Sequence, residues 1–201
     1  DSNFVVFPVK FCGNRMDNKW QFGHITSKAC DMSKFVLRYI IISNQEVRSM
    51  LRIGMLTSGG DCQALNAAMR GVVKTLLNNR DDVEVYGFLE GYKGLIYGNF
   101  RMLTGKDFSG ILTVGGTILG TSRTPFKTIQ DPDENGLDKV DAMKQNYHKL
   151  QLDCLVILGG NGTHKTANLL RKEGLNIVTL PKTIDNDLWG TDMTFGFQSA
   201  V

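Results

Sequence analysis

Asp153-Cys154-Leu155-Val156-Ile157-Leu158-Gly159-Gly160-Asn161-Gly162-Thr163 runs from an unbroken apolar stretch straight into a glycine-rich turn. The apolar part is too short for a buried helix and too rich in Val and Ile for a loop. It predicts a strand at Asp153–Leu158 covered on both faces, as strands of parallel sheets are. A helix is expected from about Thr163 to Lys172, and Ile177–Leu180 reads as the next strand. Upstream the same grammar recurs. Leu51–Thr57 is a buried-strand pattern with its apolar centre at Ile53–Leu56. Ser58-Gly59-Gly60-Asp61 follows as a turn, and Leu65, Ala68, Met69, Val72, Val73, Leu76 and Leu77 then recur at helical spacing. Val83–Phe88 alternates as a further strand. Strand and helix alternating in this way imply an α/β fold: a doubly wound, mostly parallel, Rossmann-like sheet with helices on both faces. In such sheets the ligand crevice lies beyond the carboxyl ends of the strands. The turns at 58–61 and 159–163 and the acidic segment at 182–187 all come just after strands, so three separate patterns should meet at one edge.

Composition narrows the classes. The chain has 201 residues and 42% hydrophobic content, enough to bury one sizeable core. Its apolar runs are far too short to cross a bilayer. Cys12, Cys30, Cys62 and Cys154 show no ligand-like spacing and read as free thiols in a reducing, cytoplasmic setting. Residues 1–49 hold seven Lys/Arg against four Asp/Glu, whereas residues 50–201 hold sixteen of each. The net positive charge therefore sits in the leading segment, and nucleic-acid binding by the main body has little electrostatic support.

That leading segment, 1–49, is expected to be a separate extension. Phe4–Phe7 and Phe35–Ile42 can form strands, but the stretch between them lacks helical period, and no secretory signal pattern is present. Met50 stands directly before the first strand, which suggests a natural start there. Gly196–Val201 closes without a turn or charged tail, which suggests that the sheet is incomplete at the C-terminus and that 50–201 is part of a larger domain.

The chemistry is concentrated in Pro181-Lys182-Thr183-Ile184-Asp185-Asn186-Asp187. Two acids at i and i+2 share a side if the chain stays extended. One carboxylate can accept a hydroxyl proton while the other holds Mg²⁺ directly or through water. Thr183 can bond a sugar hydroxyl or a phosphate. No Gly-x-x-x-x-Gly-Lys-Ser/Thr occurs, so a P-loop is excluded. Gly59-Gly60 and Gly159-Gly160-Asn161-Gly162 can do the phosphate-binding work instead, by bringing backbone N–H groups at helix N-termini close to an anion. Gly115-Gly116-Thr117-Ile118-Leu119-Gly120-Thr121-Ser122-Arg123-Thr124 adds hydroxyls and one guanidinium, whose planar fork suits phosphate oxygens.

Taken with Asn66-Ala67-Ala68-Met69-Arg70-Gly71, these stretches resemble in order and spacing the N-terminal half of the 6-phosphofructokinase family, over residues 50 to 201. The resemblance implies transfer of the γ-phosphoryl of ATP to the 1-hydroxyl of fructose 6-phosphate, with Mg²⁺, in a homodimer or homotetramer. Asp185 would be the catalytic proton acceptor, with Arg123 and Thr183 stabilising the transferred group. Gly60, Tyr92, Arg123, Thr124, Gly160, Asn161, Gly162 and Thr163 would line the nucleotide. Lys182, Thr183, Ile184 and Asp185 would face the sugar phosphate, and Asn161 and Asp187 the metal. Arg70 resembles a position that faces an allosteric phosphate site in bacterial members.

Three positions depart from the family pattern or decide between its branches. Lys74 replaces an arginine beside Arg70, so the matching effector site would hold an ammonium in place of one guanidinium fork. Asn161 replaces an aspartate of the common Gly-Gly-Asp-Gly turn. A unit charge pair at about 4 Å and an effective dielectric near 20 is worth roughly 4 kcal/mol, the upper scale of what the metal site loses. Lys182 is compatible with ATP or pyrophosphate as donor, whereas Gly162 stands where pyrophosphate users typically carry an aspartate, so ATP is favoured. The alternatives are a pyrophosphate-dependent enzyme, a non-catalytic nucleotide-binding or regulatory subunit, and a lipid or NAD kinase, which the acidic 183–187 segment argues against.

Overall fold

The computed structural model describes residues 50–201. The strands expected at Phe4–Phe7 and Phe35–Ile42, and the rest of the 1–49 extension, lie outside the described residues. Six strands form the sheet: β1 Leu51–Thr57, β2 Val83–Phe88, β3 Phe100–Leu103, β4 Cys154–Gly159, β5 Ile177–Thr183 and β6 Phe195–Gly196. The helices are α1 Leu65–Asn79, α2 Tyr92–Tyr97, α3 Lys139–Lys149, α4 Asn161–Lys172 and α5 Phe197–Ala200, with a 3₁₀ turn at Phe126–Thr128. The strand order is β3-β2-β1-β4-β5-β6. Every pairing is parallel except β3, which runs antiparallel to β2.

Alternation along the buried strands divides the core between two faces. Ile53 and Met55 of β1 and Val156 and Leu158 of β4 pack with Leu65, Met69, Val72, Val73 and Leu76 of α1. Leu56, Leu155 and Ile157 point to the other face, where Leu95 of α2, Met143 and Tyr147 of α3, and Ala167 and Leu170 of α4 meet them. Each of the large aliphatic side chains taken wholly out of water contributes about 1.5–3 kcal/mol over an exposed position. The helices that leave β1 and β4 therefore lie on opposite faces, and the order reverses between these neighbouring strands. That reversal opens a crevice at their carboxyl ends.

Two strands and three helices exceed what the sequence predicts, the two-residue β6 and the four-residue α5 among them. β3 is a short edge strand in which Leu103 alone is buried, so no apolar run marks it. The six residues of α2 lie between Gly91 and Gly98, both at positive φ, and are too few for a period to show. α3 is largely polar and buries only Ala142, Met143 and Tyr147. Its start is fixed by Asp138, whose carboxylate accepts from the N–H groups of Val140 and Asp141 at 2.9 and 3.0 Å. α4 begins at Asn161 rather than Thr163, which moves Asn161 and Gly162 from a loop into the first helical turn.

Candidate active site

Four segments meet beyond the ends of β1, β4 and β5. Ser58 donates its N–H to the Leu158 carbonyl at 2.9 Å, tying the turn after β1 to β4. Gly59 donates its N–H to the Ser122 carbonyl at 3.1 Å, and Thr121 Oγ1 donates back to the Gly59 carbonyl at 2.6 Å. Lys182, at the end of β5, donates from Nζ to the Gly60 carbonyl. A methyl group placed on Gly160 would lie 3.5 Å from the Lys182 carbonyl. The 58–61 turn thus joins 121–124 and Lys182 directly, and Lys182 borders Gly160, although 60 or more residues separate the first segment from each of the others.

Glycine at Gly60 and at Gly162 answers to no demand of the protein itself. Neither has positive φ, and a Cβ built at either would meet no atom within 4 Å. Both are exposed at the mouth of the crevice. Open space in front of a backbone at the start of a helix is what a ligand phosphate requires. The N-terminus of α4 has no side-chain cap and no acid in its first turn, leaving its N–H groups and positive dipole end for an anion.

The expected residues fall into two groups. Arg123, Asn161, Ile184, Asp185 and Asp187 are exposed at this edge, with Thr124 and Thr183 half-buried beside them. Asp185 receives its order locally. Its N–H donates to Thr183 Oγ1 at 3.1 Å, and that hydroxyl lies 3.5 Å from the Asp185 carboxylate. Other residues sit behind the surface. Tyr92 is wholly buried, so it does not face the crevice as the resemblance implies; its hydroxyl donates to the Thr163 carbonyl at 2.8 Å and braces the first turn of α4 from below. Thr163 is itself 7% exposed, folded over Gly159. Lys182 is 5% exposed and spends its ammonium on the Gly60 carbonyl. Burial pulls its pKa down, the charges of Cys62 and Asp61 pull it up, and Arg123 pulls it down again. Lys182 thus holds the β1 turn against β5, with one of its three ammonium donors on that carbonyl.

The expectation that Asp185 and Asp187 share a side because the chain is extended does not hold. β5 ends at Thr183, and Asn186 between the two acids adopts φ 51°, which breaks the alternation. Arg70 and Lys74 are also differently engaged than the resemblance implies. Arg70 donates to the Phe108 carbonyl and Lys74 to the Gly105 carbonyl at 3.0 Å, so both hold the 105–108 turn to α1.

Sequence reading missed the residues that fasten these segments. Asn66, 1% exposed, donates to the carbonyls of Val114 and Gly115 at 2.9 and 3.4 Å and accepts from the Ile118 N–H at 2.8 Å. Thr57 Oγ1 donates to the Gly120 carbonyl at 2.9 Å and lies 2.9 Å from Thr117 Oγ1. Ser122 Oγ donates to the Glu90 carbonyl at 2.6 Å. An asparagine among the apolar positions of α1 was the available signal.

Metal binding must be judged on the donors present. Among the described residues no cluster of three or more His, Cys, Asp or Glu can cage an ion. Asp187 and Asn161 offer exposed oxygens, which suits a Mg²⁺ that arrives with a polyphosphate and keeps several waters. Cys62 and Cys154 are free thiols, and burial pushes Cys154 up to about 12. Among the described residues no helix is long and apolar enough to cross a membrane.

Comparison with known proteins gives a consistent family. A model of the phosphofructokinase family matches residues 52–201. An ATP-dependent 6-phosphofructokinase of Spirochaeta thermophila is 62% identical over 153 residues, which is 74% of this chain and 41% of that protein. ATP-dependent 6-phosphofructokinase 3 of Bacteroides thetaiotaomicron is 51% identical over 155 residues, 75% of this chain and 44% of its own. The chain thus spans about two fifths of the length of these curated relatives. Among solved structures, Pichia pastoris phosphofructokinase in the T-state superposes with a TM-score of 0.63 at 32% identity, over 78% of this chain and 18% of that one. On the fold, the arrangement of the crevice and these matches together, the chain belongs to the phosphofructokinase family.

Proposed function

We propose that this chain supplies the nucleotide side and the catalytic base of an enzyme that moves the γ-phosphoryl of ATP to the 1-hydroxyl of fructose 6-phosphate. The observation that carries this reading is the pair of unobstructed glycines, Gly60 and Gly162, on two segments tied together through Lys182 and followed three residues later by the exposed Asp185. The glycines let the polyphosphate approach the backbone, and the N–H groups opening α4 receive its charge. Arg123 offers its fork to the transferring group. Asp185 accepts the proton of the 1-hydroxyl as that oxygen bonds to the γ-phosphorus, and the bond to the bridging oxygen breaks to release ADP. Little proton transfer is needed early in so loose a transition state, so positioning and charge stabilisation dominate. Mg²⁺, when bound with the nucleotide, would sit near Asp187 and Asn161 and neutralise phosphate charge there. Thr183 and Ile184 would border the sugar phosphate.

Gly162 favours ATP over pyrophosphate as donor, because it leaves space where an aspartate would crowd and repel the α-phosphate. A homo-oligomeric, cytoplasmic enzyme of glycolysis is the corresponding expectation for the whole protein. A coupled assay of the full-length protein with fructose 6-phosphate and either ATP or pyrophosphate tests the proposal. Turnover with ATP supports it, and turnover with pyrophosphate alone reverses the donor. Nucleotide binding without turnover on either donor identifies a non-catalytic subunit.

A further inference from the structure

We infer that Asn186 and Thr194, neither of which faces the reacting groups, are positioning residues that set the location of Asp185; the inference rests on the base role proposed above. Asn186 sits between the two acids with φ 51°, in the left-handed region that asparagine and glycine tolerate and other residues resist. Its side chain clasps the far end of the loop. Asn186 Oδ1 accepts from the Thr194 N–H at 2.9 Å, and Nδ2 donates to the Asp192 carbonyl at 3.2 Å. Thr194, 2% exposed, closes the circuit: its hydroxyl donates to the Thr183 carbonyl at 2.8 Å and lies 3.3 Å from Asn186 Oδ1. The Thr183 hydroxyl in turn accepts from the Asp185 N–H.

The consequence is a closed ring of hydrogen bonds around an exposed carboxylate. β5 ends at Thr183, so nothing in the sheet ladder fixes Asp185; the ring does. Without it, residues 184–193 would be a largely exposed loop held at Thr183, at the buried Leu188 and again where β6 pairs with β5. Displacement of a reacting group by about 1 Å can cost on the order of 100-fold in rate. A residue acting this way should change kcat far more than the affinity for the nucleotide, whose contacts lie on other segments.

The test uses the full-length protein and the variants Asn186→Gly, Asn186→Ala, Thr194→Val and Thr194→Ser, read by steady-state kinetics and by amide hydrogen exchange. Asn186→Gly keeps the backbone conformation and loses the clasp, whereas Asn186→Ala loses both. Thr194→Val is nearly isosteric and lacks the hydroxyl donor that Thr194→Ser retains. The expected results are faster exchange at the Thr194 amide in both Asn186 variants, and kcat lowered by about 10- to 100-fold in these and in Thr194→Val. KM for ATP should stay within about twofold, and Thr194→Ser should restore turnover. Unchanged kcat in Thr194→Val and Asn186→Gly overturns the inference, as does an equal loss in Thr194→Ser. Should the wild-type protein turn over neither donor, the function proposed above fails. The clasp is then decided by exchange alone: protected Thr194 and Asp185 amides that stay protected in Asn186→Gly overturn it, and their release supports it.

Discussion

Mild acid should weaken this domain at a buried histidine, ahead of its carboxylates. His164 lies in the first turn of α4, is 3% exposed, and has no hydrogen-bond partner on either ring nitrogen among the described residues. Burial lowers its pKa from 6.5 to about 4, a backbone group of Gly159 opposes that, and the Lys182 charge adds to it. Between those two values the unfolded chain binds a proton that the native protein refuses. Stability is therefore full above pH 6.5 and falls as pH drops toward about 4. A difference of 2.5 units, taken as 6.5 minus 4, corresponds to about 3.4 kcal/mol in total at 1.36 kcal/mol per unit, of which about 2 kcal/mol is already lost at pH 5.0. His164→Leu removes both the titration and the orphaned nitrogens while keeping an apolar side chain of similar size. Urea unfolding of wild type and variant at pH 7.5 and 5.0 gives two stability differences, and taking their difference cancels every carboxylate that the two proteins share. The variant's advantage should be larger at pH 5.0 by about 2 kcal/mol. An advantage equal at both pH values would refute the claim that this histidine stays neutral in the native protein.

Three further outcomes are expected. Gly162→Asp should fold normally, because a Cβ there meets nothing within 4 Å, yet raise KM for ATP on the order of 10- to 100-fold through like-charge repulsion; unchanged ATP kinetics would end the donor argument. Asp185→Ser in the full-length enzyme should lower kcat on the order of 100- to 10,000-fold with a modest change in KM, checked by the coupled assay. Thr121→Val should remove the hydroxyl bond to the half-buried Gly59 carbonyl and cost about 0.5–1.5 kcal/mol, read as a lower Tm together with a weaker affinity for nucleotide.

The alternating skeleton was legible because its strands and helices carry strong periods. β2 occupies Val83–Phe88 as read, β1 and β5 extend beyond Ile53–Leu56 and Ile177–Leu180, and β4 lies one residue later than the Asp153–Leu158 read for it. Convergence of the glycine turns at one sheet edge followed from the parallel order alone. Elements whose residues face water on most sides escaped notice: Phe100–Leu103 shows no apolar run, and Lys139–Lys149 buries too little to leave a stripe. At the crevice, residue types were readable but their allegiance was not. Nothing in the order of amino acids distinguishes a Lys182 that binds a substrate from one that binds the Gly60 carbonyl, or a Tyr92 that lines a pocket from one that braces Thr163. Those choices depend on which backbone groups tertiary packing leaves without a partner. The left-handed turn at Asn186 was likewise hidden, since asparagine is as much at home in an ordinary turn.

The paired bonds between Gly59 and the Thr121–Ser122 segment carry a mechanical implication. They rivet the Gly59–Gly60 backbone and the backbone that leads into Arg123 into one jaw, reinforced behind by Thr57 and Ser122. A jaw so braced cannot bend around its cargo. The opposing wall, beyond Thr183, is fastened by side-chain bonds until β6 rejoins the sheet, so the two walls of the crevice are braced by different means.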